Sequence, residues 1–79
     1  MRLSAANAFT RESKSGSDLS GTDGTANRTL TLAATPSFMI HIFVSNAALQ
    51  LTTDYTRSSD VITFLNAVFN DQKIEVVYV

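Results

Sequence analysis

The sequence predicts an all-β fold: a small antiparallel meander, sandwich or partial barrel of about five to six short strands. Three observations predict it. Apolar residues in the second half recur with period two, the repeat of a pleated strand. The alternating runs are short and separated by Asn, Asp, Ser and Gly, the residues of turns. No stretch carries the three-to-four spacing of an amphipathic helix.

The elements follow in order. Residues 1–20 are read as an N-terminal arm, or a strand plus a loop, and residues 21–79 as the β module proper. All three glycines, Gly16, Gly21 and Gly24, fall between Lys14 and Asn27. That polar stretch has too little apolar surface to offset its ordering entropy, so loop and turns are expected. Thr29 to Ala33 alternates, with Leu30 and Leu32 on one face. Pro36 lacks a donor for a ladder and ends that strand. Phe38 to Ser45 is apolar on both faces: Phe38, Ile40, Ile42 and Val44 on one, Met39, His41 and Phe43 on the other. A strand of that kind belongs in a central position, covered twice. Asn46 and Ala47 then read as a tight hairpin into a short strand from Leu49 to Thr52, with Asn46 taking a left-handed backbone. Thr53 to Asp60 reads as turns. Val61 to Leu65 is a strand with Ile62 and Phe64 on one side. Asn66 to Gln72 is a connection anchored by Val68 and Phe69. Lys73 to Val79 closes the chain, with Ile74, Val76 and Tyr78 opposed to Glu75, Val77 and Val79.

Composition narrows the function. At 79 residues the chain supports one core, and a domain of this size is only marginally stable by itself. It has no cysteine, so disulfides are excluded, and a single histidine leaves a zinc site without ligands. Added burial then has to come from other chains. The chain is 44% hydrophobic and only 16% charged, against about 25% charged in ordinary domains, which also points to a covered surface. The six basic residues are scattered and the net charge is −1, so no stripe exists to neutralise nucleic-acid phosphates. No apolar run is long enough to span a bilayer, and the first ten residues lack a signal-peptide core. The expectation is a protein made in a cytoplasm, with no nucleic-acid partner, no membrane partner and no cofactor.

The order of motifs from Gly21 to Val79 carries a further signal. A Gly-rich turn holding Gly21 and Gly24 precedes Leu30-Thr31-Leu32. An apolar strand ends in Ile42-Phe43-Val44-Ser45-Asn46, and Leu49 follows. Asp54-Tyr55-Thr56, Ile62-Thr63-Phe64 and Ile74-Glu75-Val76-Val77-Tyr78 complete the set. In this it resembles a β module of bacteriophage tail fibres and other virion proteins. Ala47 stands where the module's hairpin has Gly, and Asn70-Asp71 replaces its Ala-Gly turn. The resemblance implies a non-enzymatic virion structural protein: tail-fibre-like, tail-associated or capsid-decorating. It would be located in the virion and made in the host cytoplasm. Its partners would be other virion proteins and copies of itself, in the first instance as a trimer.

Candidate functional residues are few. His41, alone between Ile40 and Ile42, reads as a hydrogen-bonded sheet histidine. Asp18 and Asp23 fall short of the six or more oxygens of a calcium site. Asp54, Asp60 and Asp71 sit in turns, where Asp bonds nearby backbone; Asp54 is expected to cap the N–H two residues on. No G-x-S-x-G elbow is present. Met39, His41, Phe43, Val77 and Val79 are the candidate interface, through which the strand's second face meets another layer or subunit. An alternative function is a host-surface receptor or glycan-binding module. For it Tyr55 is the candidate recognition residue, an aromatic able to stack on a sugar with its hydroxyl in water.

Overall fold

The computed structural model describes residues 9–37 and 39–79, with Met39 and Ile40 described by their backbone alone. Seven strands form: β1 (Thr10–Ser15), β2 (Arg28–Thr31), β3 (Met39–Val44), β4 (Ala47–Ala48), β5 (Tyr55–Ser58), β6 (Val61–Phe64) and β7 (Lys73–Tyr78). They make two antiparallel sheets, of order β1-β7-β3-β4 and β2-β6-β5. One core of Leu30, Leu32, Ile42, Tyr55, Ile62, Phe64, Ile74, Val76 and Tyr78, with Leu19 and Val68, draws on both sheets. The molecule is therefore a small sandwich, open at its edges.

Alternation places the expected core residues inside. Ile62 and Phe64 on β6, and Ile74, Val76 and Tyr78 on β7, are all buried. They pack across the sandwich rather than as neighbours in one sheet, because β6 and β7 belong to different sheets. Residues 10–20 are integral: β1 pairs with β7 along its whole length, from Thr10↔Tyr78 to Ser15↔Lys73. Leu19 joins the core. Residues 1–8 of the expected arm lie outside the described residues.

Three local expectations are corrected. The two-residue hairpin loop is Ser45–Asn46, one position earlier than read, since Val44 pairs with Ala47. Both loop residues have positive φ, 51° and 69°, the type I′ geometry that matches sheet twist. Ala47 opens the short β4, and Leu51 makes only an isolated bridge to Tyr55 in place of a strand over Leu49 to Thr52. Residues 55–58, read as turns, form β5 and pair with β6 through the Ser59–Asp60 turn. Their polar side chains suit an edge strand whose outer side meets water. The register of β3 slips between Met39 and His41, so a bulge there breaks the strict alternation read from Phe38 onward.

β3 is not covered on both sides. It lies between β7 and the two-residue β4, and Ile42 enters the core. On the opposite face Phe43 is half-buried and His41 exposed. β7 is buried on both sides among the described residues, since Val77 on its outer side is buried too.

Candidate functional site

The outer face of the four-stranded sheet collects most of the candidate interface residues. Register sets Arg11, Val77 and His41 in one row, and Ser13, Glu75, Phe43 and Ala48 in the next. The His41 and Phe43 rings lie with centroids 5.4 Å apart. Glu75 is ringed by polar partners: Arg11 at 3.4 Å, Lys73 at 3.5 Å and the Ser13 hydroxyl at 3.1 Å. Val79 follows Val77 on this side by alternation and is exposed, as is Phe9 before β1. His41, Phe43, Val77 and Val79 therefore share one face. Val77 is only 5% exposed, so its contact surface is already used within the chain. The Met39 side chain lies outside the described residues. Among the described residues the His41 side chain has no hydrogen-bond partner, and its neighbour is the Phe43 ring.

Tyr55 is not available for recognition. It is 5% exposed and part of the core, because β5 turns it inward opposite Phe64. Burial raises its pKa above the ordinary 10.0, against the opposing charge of Arg57. A ring in that position has no free face for a sugar.

Three of the acidic turn residues, Asp18, Asp23 and Asp54, hold backbone N–H groups. Asp18 accepts from the Ser15 N–H at 2.9 Å and Asp23 from the Asn70 N–H at 2.8 Å. Asp54 accepts from the Gln50 N–H, four residues back rather than two ahead, and from the Asn66 amide. No cluster of metal-ligating side chains occurs among the described residues. A cleft of about 70 Å³ opens between Val44, Leu49, Asp54, Phe64, Asn66 and Val68. That is room for a few waters or one small side chain, whereas ligand pockets run to about 300 Å³ or more.

Two buried charges were missed by sequence reasoning. Arg28, 2% exposed, donates from Nε to the Ser20 carbonyl and from Nη1 to the Val68 carbonyl. Its Nη2 donates to the Gly16 carbonyl and to Asn70 Oδ1. The guanidinium thereby ties the loop before β2 to the loop before β7. Glu12, on β1, accepts at one oxygen from the Ala33 N–H at 2.9 Å and from the Tyr78 hydroxyl at 2.5 Å. Its other oxygen, Oε1, is buried with no hydrogen-bond partner, and Lys14 Nζ stands 3.9 Å away. The bond to Glu12, and then burial and the carboxylate charge, raise the Tyr78 pKa above 10.0; a bond from Ala34 opposes them. The only local hint in the sequence is that Arg28 sits between a turn and a strand. Comparison with known families, with characterised proteins and with solved structures finds no match to this chain.

Proposed function

We propose that this chain is a non-enzymatic structural module of a bacteriophage virion, acting by packing against other copies of itself and against neighbouring virion proteins. The observation that carries the reading is the outer face of the four-stranded sheet, where half-buried Phe43 and exposed His41 and Val79 lie beside a row of ion pairs centred on Glu75. A small sandwich gains burial from such a face only when something covers it. The ordered motifs support the same reading. Leu30-Thr31-Leu32 lies at β2, Ile42 to Val44 on β3, Asp54-Tyr55-Thr56 at the start of β5, and Ile62 to Phe64 and Ile74 to Tyr78 on β6 and β7. The glycan-binding alternative loses its stacking residue with the burial of Tyr55.

Sedimentation of the full chain at micromolar concentration tests the proposal. The expected result is an oligomer, a trimer first, that Phe43→Lys dissociates while the strand signal in circular dichroism stays. A folded monomer at that concentration removes the proposal.

A further inference from the structure

β1 is an edge strand, and its free side has a definite hydrogen-bonding pattern. The Gly16 N–H donates to the Gln72 carbonyl at 2.8 Å, and this pair continues the Thr10↔Tyr78 register. Inward- and outward-pointing backbone groups alternate along an antiparallel strand. Thr10, Glu12 and Lys14 therefore turn their N–H and C=O toward β7, and Arg11, Ser13 and Ser15 turn theirs away from it. The far side of β7 agrees: Lys73, opposite Ser15, gives its carbonyl to the Ser45 N–H on the β3 side at 2.8 Å. The Ser15 N–H is occupied by the Asp18 carboxylate. Among the described residues no strand pairs with the outer side of Arg11 and Ser13.

We infer that this edge is a self-association site, at which β1 strands of two copies pair antiparallel about a two-fold axis at Ser13, joining two four-stranded sheets into one. The interaction goes beyond the packing of the outer face: it uses a different surface and a two-fold contact.

Charge fixes the partner and the register. With Ser13 opposite Ser13, the two central residues exchange N–H and C=O bonds. The Arg11 N–H of each copy meets the Ser15 carbonyl of the other. Glu12 then stands directly opposite Lys14 of the second copy, in the non-hydrogen-bonded pairing where side chains come closest. Symmetry supplies that ion pair twice. It also brings a second ammonium toward Glu12 Oε1, which among the described residues accepts no hydrogen bond and has only Lys14 Nζ of its own chain at 3.9 Å. Other registers are rejected. A slip of two residues sets Glu12 against Glu12 or Lys14 against Lys14, and a slip of one sets outward groups against inward ones. Lysine on an edge normally blocks pairing. Here the Ser13 register is the one that places each lysine on a glutamate of the other copy.

The test is sedimentation equilibrium on the full chain from micromolar to millimolar concentration, at low and high salt. The expected result is a doubling in mass of the unit present, a single chain or the outer-face oligomer, that weakens with salt. Ser13→Pro removes an N–H that β7 does not use. Lys14→Glu sets carboxylates face to face. Each is expected to raise the dissociation constant about tenfold or more, with circular dichroism unchanged. Ser13→Cys gives a readout independent of those substitutions. The chain has no cysteine, and the pairing brings the two substituted positions within disulfide range, so mild oxidation is expected to cross-link two chains. Arg11→Cys, whose two-fold mate is distant, is expected to stay uncross-linked. A monomer throughout, or an oligomer indifferent to Ser13→Pro and Lys14→Glu and not linked through Ser13→Cys, overturns the inference. An oligomer dissociated by Phe43→Lys but not by Ser13→Pro also overturns it and leaves the packing of the outer face standing.

Discussion

Among the described residues two charged side chains are buried in this sandwich, and they are matched to different degrees. The Arg28 guanidinium is matched on four N–H···O contacts by acceptors 8, 12, 40 and 42 residues away. Three of the four are backbone carbonyls, so the charge is neutralised by dipoles rather than by a carboxylate. The Glu12 carboxylate accepts two hydrogen bonds at one oxygen and, among the described residues, has only the Lys14 ammonium at 3.9 Å by the other. A charge taken out of water is tolerated when its hydrogen-bonding capacity is filled, and is costly otherwise. Arg28 is thus complete within one chain, and Glu12 is not.

The sharpest way to break the comparison is Arg28→Met. It keeps some apolar bulk but removes four bonds at once: the part-buried Ser20 carbonyl and Asn70 amide oxygen lose their donor, while the Gly16 and Val68 carbonyls keep only the Leu19 and Gly24 N–H groups. The expected loss is about 3–5 kcal/mol, read from the urea midpoint. In a domain of this size that leaves little folded protein. A loss under about 1 kcal/mol would mean that water replaces the guanidinium at no cost. Gly16→Ala comes next. Gly16 gives its carbonyl to Arg28, and an added Cβ would lie 1.9 Å from the Phe69 carbonyl oxygen, a backbone atom. Relief requires the two loops to part, at an expected cost of about 2–4 kcal/mol in thermal unfolding.

The Glu12 side responds more weakly. Tyr78→Phe deletes the hydroxyl bond and leaves the Ala33 bond in place, with an expected loss of about 1–2 kcal/mol at neutral pH. The same variant carries a pH signature. The folded-state pKa of Tyr78 is raised, so the stabilisation it records is fully present below pH 10.0 and is lost as pH rises through the folded value. The wild type is expected to lose stability above pH 10, and Tyr78→Phe to lose less over that range. Equal alkaline slopes would show that Tyr78 does not contribute; Tyr55, raised by burial, adds to both curves. Smallest of all is Glu12→Gln, expected within about 1 kcal/mol of wild type. The amide keeps an acceptor for Ala33 and Tyr78 and removes an incompletely matched charge. A loss above about 2 kcal/mol would show that the carboxylate is as well matched as the guanidinium.

The sequence is legible where one side of a strand is wet and the other dry. Leu30 and Leu32, Ile62 and Phe64, and Ile74, Val76 and Tyr78 are core residues by alternation alone, and all are buried. It is less legible where polarity matches on both sides: Thr56, Arg57 and Ser58 look like turn residues, yet they form an edge strand because β6 offers them a ladder. That His41, Phe43, Val77 and Val79 share one face was legible, because it follows from parity along β3 and β7. Tyr55 was not, since nothing local says that its ring closes over the core and not over the solvent.

By itself the sequence determined the class of structure: period-two apolar runs, turn residues between them, and too few charges and no cysteines for stabilisation by other means. Local sterics and hydrophobic burial act residue by residue, so they can be read in one dimension. Only the tertiary structure decided that Arg28 and Glu12 are buried, that β1 joins β7, and which amides β1 leaves on its open side. Those outcomes depend on acceptors brought from distant positions, and no spacing along the chain encodes the partner of a charge.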